Sequence, residues 1–327
     1  MRLLITGGTG FIGSRLAQAA RGQGHEVTVT GMLNTPAETL TQGYLAKAGI
    51  EVAILSVADL AKAEATLAGV DAVIHLAAAQ HEANKPDSYF RAVNVDGTAA
   101  LVEACRAAGV GRFVHGSTIG VYGDREGILD ETTTPAPENI YGVTKFEAEG
   151  VVLAAQGLPV VVVRISEVYG PGDRRLLKLF RAIERGRFFH IGPGTNLHHP
   201  IYVEDLACGL LLAAERPQAV GEVLVLPGRE AVTTDQMVAA VAAAVGRPSP
   251  RLRLPLWPFS AAAMVLETTL RPLGIQPPLH RRRMDFFRKS FSFAGAKAER
   301  ILGFRPEIDF AQGASLTAQW YREIGEL

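Results

Sequence analysis

Arg2-Leu3-Leu4-Ile5-Thr6-Gly7-Gly8-Thr9-Gly10-Phe11-Ile12-Gly13-Ser14-Arg15-Leu16-Ala17 decides the architecture of the chain. An apolar run ends in spaced glycines and gives way to a helix-forming stretch, so the residues read strand, tight turn, helix. The glycines have separate tasks in such a turn. Gly7 takes the positive φ of a tight bend, Gly10 leaves no Cβ between backbone and ligand, and Gly13 lets the helix pack closely on the sheet. The free N–H groups of the first helical turn then face an anion, which makes Gly7, Gly10, Phe11, Ile12 and Gly13 candidate contacts for a dinucleotide pyrophosphate. Taken alone, T-G-x-x-G-x-x-G also fits an ordinary strand-to-helix turn.

Composition narrows the classes. The 327 residues are 48% apolar and 20% charged, and Lys+Arg equals Asp+Glu at 33 each, so no overall field favours nucleic acid. Small molecules or other subunits are the expected partners. Cys105 and Cys208 are the two cysteines, both in apolar helical patterns, which predicts buried small side chains and neither a disulfide framework nor a metal site. No uncharged apolar run is long enough to span a bilayer, and no signal segment precedes the first strand, so a cytoplasmic location is expected.

Strand and helix patterns alternate through the first half. Strands are expected over Arg2 to Thr6, Glu26 to Thr30, Ile50 to Leu55, Ala72 to Leu76 and Arg112 to Ser117, with helices to about Gln23 and from about Ser88 to Ala108. Val160-Val161-Val162-Val163 reads as a strand covered on both faces. The fold class is therefore α/β, a Rossmann-type doubly wound parallel sheet. After Arg164 the pattern loosens into Pro/Gly loops, which predicts a dinucleotide-binding domain over 1–165 and a smaller C-terminal substrate-binding lobe over 166–327, with some segments returning to the sheet.

Two further motifs carry chemistry. In Tyr141-Gly142-Val143-Thr144-Lys145 the Tyr and Lys lie one helical turn apart on one face. A phenol with a pKa near ~10 is a poor base at neutral pH, but a neighbouring ammonium stabilises the phenolate. Ser117-Thr118 ends an apolar strand, where a hydroxyl points into the crevice that binds ligands of such sheets.

The glycine loop, Ser117-Thr118-Ile119-Gly120-Val121-Tyr122-Gly123 and Tyr141-x-x-x-Lys145, in this order and spacing, resemble an extended short-chain dehydrogenase/reductase. The resemblance extends over Val73 to Ala78, Asn94 to Thr98, Val168 to Gly172 and Tyr202 to Asp205. It implies Thr118, Tyr141 and Lys145 as catalytic residues, Thr118 bonding the reacting oxygen, Tyr141 moving its proton, and Lys145 lowering the Tyr pKa while holding the nicotinamide ribose. It implies Asp59 and Leu60 at the adenine, Leu76, Ala77 and Ala78 along the cofactor groove, and Asn94 tying helix to strand. It also implies a homodimer through helices such as that of Tyr141.

NAD and NADP both remain open. Gly31 stands where an acid would meet the ribose hydroxyls, and Arg15 reads either as a 2′-phosphate ligand or as a solvated side chain. Ser117, Glu167, His199, Arg282 and Arg283 are the candidate substrate residues, and no metal is expected. Ile119 and Gly120 replace the acidic pair that dehydratases of the family carry, which disfavours dehydration. The remaining readings are a 3β-hydroxysteroid dehydrogenase-like or ketone reductase-like oxidoreductase acting at a secondary alcohol or ketone carbon, a UDP-sugar epimerase, and a catalytically inactive NAD(P)-binding regulatory protein. The apolar segment Trp257 to Leu270 caps a lipophilic pocket, touches a membrane surface beside Arg281 to Arg283, or simply packs.

Overall fold

The structure is a computed structural model that describes residues 1–80, 85–270 and 281–327, the last segment with side chains from Met284 onward. Seven strands form the central sheet: β1 (Arg2–Thr6), β2 (Glu26–Gly31), β3 (Glu51–Ile54), β4 (Ala72–His75), β5 (Arg112–Thr118), β6 (Val160–Ile165) and β7 (Val223–Leu226). Their order is β3-β2-β1-β4-β5-β6-β7 and every pair is parallel. The order reverses between β1 and β4, where a doubly wound sheet opens a crevice beyond its strand C-termini.

Side chains alternate between faces along each strand, which sorts the core into two layers. Leu3, Ile5, Val161 and Val163 meet Leu16 and Ala17 of α1 (Phe11–Gly22). Leu4, Val73, Phe113, Val160 and Val162 meet Leu101, Val102 and Cys105 of α2 (Gly97–Ala107) and Val152 of α3 (Ile140–Leu153). The unbroken valine run of β6 thus has apolar cover on both sides.

The second half contributes to both the sheet and a separate core. β7 extends the sheet, and Leu206 and Leu210 of α4 (Val203–Glu215) share the layer of α1. Tyr169, Phe180, Met237, Val238, Phe310 and Tyr321 form another apolar cluster.

Two expectations are corrected. The helix from Ser88 to Ala108 divides into Asp87–Arg91, a π-helical turn at Ala92–Asp96, and α2. Asn94 sits at the centre of that turn, and its side chain is engaged with neighbouring segments, a common setting for π-bulges. Cys105 is buried, but Cys208 is exposed. It lies four residues from Glu204 on the outward stripe of α4, while Leu206, Ala207 and Leu210 face inward. Among the described residues no helix is long and apolar enough to cross a membrane, and no cluster of metal-ligating side chains forms.

Candidate active site

The turn after β1 is closed by a hydrogen bond from Gly10 N to Gly7 O (3.0 Å), with Gly7 at φ 69°. A Cβ on Gly7 would come within 2.8 Å of Ala77 N, and one on Gly13 within 2.4 Å of Gly7 O, so no larger residue fits this cradle. Gly10 caps α1 without a side chain, and no acid occupies the first helical turn, leaving the positive helix end unneutralised. Phe11 and Ile12 are half-buried at this end. Phe11 also packs where a Cβ on Gly172 would lie (2.8 Å), so the loop after β6 closes on the same turn. The site fits a dinucleotide.

A chain of defined protons fixes the facing wall. Thr98 donates to Asn94 O (2.7 Å), so its oxygen accepts from His75 Nε2 (3.0 Å). His75 Nδ1 is then an acceptor for the Thr6 hydroxyl (2.7 Å), whose oxygen accepts from Leu76 N (3.2 Å) and Ala77 N (3.1 Å). Half-buried Leu76, Ala77 and Ala78 follow as the groove backbone. Burial, with the Lys145 charge, holds the His75 pKa down to about 3, so the ring is neutral.

Asn94 binds Ala79 through both amide atoms (2.8 and 2.9 Å) and donates to Thr144 Oγ1 (3.0 Å). Both of its N–H donors are committed, which makes it a strut between the β4 loop and α3 rather than a free cofactor ligand. Asp59 is exposed and accepts from Ser56 Oγ (2.6 Å), whereas Leu60 is wholly buried in the core. Arg15 is paired with Glu204. Gly31 is buried beneath Thr9, whose Oγ1 would lie 2.3 Å from an added Cβ, so the missing acid has a steric cause.

The candidate chemical residues come from β5 and α3. Thr118 ends β5, and its Oγ1 accepts from Gly120 N (3.0 Å), capping a 3₁₀ turn at Ile119–Tyr122 while its own proton stays available to donate. Asn139 caps α3 by accepting from Gly142 N (2.9 Å). A Cβ on Gly142 would stand 2.7 Å from Gly120 O, so the two glycines let α3's first turn rest directly on the turn that Thr118 caps. Half-buried Tyr141 is carried there. Lys145, one turn on and 1% exposed, places Nζ 3.1 Å from His115 Nε2. Burial brings the Lys145 pKa down to about 7, against the opposing pull of Glu149.

Behind these residues lies a buried ion pair. Arg164 donates to Glu149 through Nε (3.1 Å) and a terminal nitrogen (2.8 Å), and through the other to Tyr122 Oη (2.9 Å). Ser117, across from Arg164 in the β5–β6 register, donates to Glu149 (2.5 Å). Ser117 was expected at the substrate; its hydroxyl is instead committed to this network. The His199 ring is committed likewise, since Nε2 bonds Gly228 O (3.0 Å) and Nδ1 accepts from Phe293 N (3.0 Å). Its neighbour His198 is the histidine beside half-exposed Glu167 (3.4 Å). The side chains of Arg282 and Arg283 lie outside the described residues.

His115, Glu149 and Arg164 were not singled out from the sequence. Glu149 carried a signal, because Tyr141, Lys145 and Glu149 recur every fourth residue on one helical face. Arg164 carried a weaker one, as the lone charge in a strand of four valines and an isoleucine.

Comparison with known proteins gives this geometry a context. The model of the NAD dependent epimerase/dehydratase family matches residues 3–226. The 2-alkyl-3-oxoalkanoate reductase of Stenotrophomonas maltophilia (strain K279a) is 32% identical over 96% of this chain and 97% of its own. A dTDP-glucose 4,6-dehydratase of Streptomyces niveus is 31% identical over 99% of this chain and 93% of its own. The solved structure of MoeE5 in complex with UDP-glucose and NAD is similar, with a TM-score of 0.77 at 26% identity over 99% of each chain.

Proposed function

From the premise that the chain belongs to the NAD dependent epimerase/dehydratase family, we propose an NAD(P)-dependent reductase or dehydrogenase acting at a ketone or secondary alcohol carbon of a lipophilic substrate. The glycine turn and the start of α1 hold the pyrophosphate, Asp59 lies at the adenine with buried Leu60 behind it, and Leu76 to Ala78 line the groove. A bound nicotinamide nucleotide supplies or accepts the hydride. Thr118 donates its free hydroxyl proton to the reacting oxygen. Tyr141 gives that oxygen a proton in reduction and takes one in oxidation, and the Lys145 charge one turn away lowers the cost of the phenolate. At residue 31 the ribose meets no acid, and Arg15 is already paired, so neither usual discriminator between NAD and NADP is in place.

The observation that carries the substrate class is α5 (Leu256–Leu270), whose one ionisable side chain is Glu267 and which turns Trp257, Met264 and Val265 to the surface. Such a helix suits an apolar substrate better than a diphosphate. The reductase relative supports the same class. Dehydration is disfavoured by buried Ile119 and by Gly120 packed against Gly142, where an acid would be needed. The second reading, a UDP-sugar epimerase, is favoured by the likeness to MoeE5. An inactive regulatory role is opposed by the assembled Thr118, Tyr141 and Lys145. We also infer a cytoplasmic homodimer that uses the outer face of α3, where Phe146 and Leu153 are exposed one heptad apart.

The decisive assay offers long-chain ketones with NADH or NADPH and, separately, UDP-glucose with NAD or NADP. Reduction of the ketone with stoichiometric nucleotide oxidation is expected. Epimerisation of the UDP-sugar without net nucleotide change overturns the choice.

A further inference from the structure

We propose that His115 is a positioning residue for Lys145: its Nε2 accepts a hydrogen bond from the buried ammonium and keeps that charge in place one helical turn from Tyr141. The proposal rests on the reading of Lys145 as the helper of Tyr141, and extends it to a residue in the strand behind.

A lysine at 1% exposure needs a hydrogen-bond acceptor inside the protein. Its charged and titratable neighbours are few. Glu149, one turn along α3, acts on Lys145 through its charge, but its carboxylate receives Ser117 and Arg164. Arg164 of β6 is a donor only and is spent on Glu149 and Tyr122. His75 of β4, with its ring centroid 5.5 Å from that of His115, has both nitrogens engaged by Thr6 and Thr98. His115 stands 3.1 Å from Nζ.

The cost of placing an imidazole there sharpens the argument. When Nε2 accepts from the ammonium, the neutral ring carries its proton on Nδ1, and that atom is buried with no partner. An unpaired buried donor is destabilising, and a phenyl ring would fill similar space without it. What the imidazole adds over a phenyl is the bond to Lys145. Burial, Lys145 and His75 all press His115 toward the neutral form, the form that accepts.

Three measurements on the full chain test this. In the wild type, ¹⁵N spectra of the imidazole should show His115 neutral with its proton on Nδ1; a proton on Nε2 overturns the proposal, because Lys145 would then be the acceptor. With [¹³Cε]lysine, Lys145 of His115→Phe should titrate at least about one pKa unit below wild type, and that of His115→Gln, which retains an acceptor oxygen, within about half a unit of it. An unchanged titration in the Phe variant overturns the proposal. If that variant does not fold, the wild-type tautomer and the Gln variant still decide it. The alkaline limb of the turnover profile should move to lower pH in the Phe variant and be restored in the Gln variant. A shifted Lys145 titration with an unmoved profile upholds the His115 contact and overturns the reading of Lys145 as Tyr141's helper.

Discussion

The wall built by β5, β6 and α3 and the outer helix α5 settle their side chains in opposite ways. Along the wall, Ser117, Glu149, Arg164 and Lys145 are all buried and all hydrogen-bonded. On α5, Trp257 is 73% exposed, Val265 60% and Met264 51%, with Ala263 its one buried apolar residue. The difference teaches where each task lies. Proton transfer needs groups held within tenths of an ångström, so it belongs to elements locked by a paired core. In the proposed function the choice of substrate falls instead to α5, whose spare apolar area prefers one kind of molecule.

The largest expected effect strikes the wall. Tyr141→Phe removes the proton carrier and leaves the packing, so kcat should fall by at least about 10²-fold with nucleotide affinity retained. Near-normal turnover in this variant would dissolve the distinction between the two regions. Lys145→Met should lower turnover as well and also weaken nucleotide binding by titration calorimetry; unchanged affinity removes the ribose role.

The next effect concerns the ion pair. Arg164→Leu leaves Glu149 charged and buried with Ser117 as its remaining partner, and should cost about 3–5 kcal/mol in denaturant unfolding. The double variant Arg164→Leu with Glu149→Leu should recover part of that loss, since the carboxylate is no longer stranded, and only part, since Lys145 loses the Glu149 charge that opposes the effect of its burial. A single variant within about 1 kcal/mol of wild type would show that the network does not hold the wall.

Acid should loosen the same region. The folded His75 pKa is about 3 against 6.5 unfolded, so the unfolded chain binds the extra proton between those values. Stability therefore falls as pH drops below about 6.5, by roughly 1.4 kcal/mol per pH unit for each such histidine. His115 acts in the same direction. His75→Leu should flatten the slope by one proton, and a slope equal to that of wild type would mean His75 is protonated in the fold.

Much of this wall was legible in the sequence, for identifiable reasons. β1, the glycine turn and the valine strand follow from local periodicity and from positions where no Cβ fits. The Tyr141–Lys145 face follows from helical spacing. What was missed depends on contacts across the sheet: Ser117 faces Arg164, and His75 faces His115, only once the strand order sets the register. The partners of His199 were not legible, because a histidine beside a predicted crevice looks free until the backbone N–H of Phe293 and carbonyl of Gly228 are brought to it. Gly31 was readable as a missing acid, but its cause, the Thr9 side chain above it, required the fold.

The smallest effect on stability, and the sharpest on the comparison, belongs to α5. Met264→Ser and Val265→Ser alter side chains that are more than half exposed, so unfolding should shift by no more than about 0.5 kcal/mol. If the helix recognises an apolar substrate, KM for a long-chain ketone should rise by severalfold, because losing two apolar contacts at roughly 25 cal/mol per Å² weakens ground-state and transition-state binding alike. The rise should grow with the length of the ketone chain, while kcat stays near that of wild type. Equal KM values across a ketone series would detach α5 from the substrate and leave the apolar surface to a partner or to packing between subunits. A fall in kcat with unchanged KM would instead place α5 in the chemistry that the wall alone was held to perform.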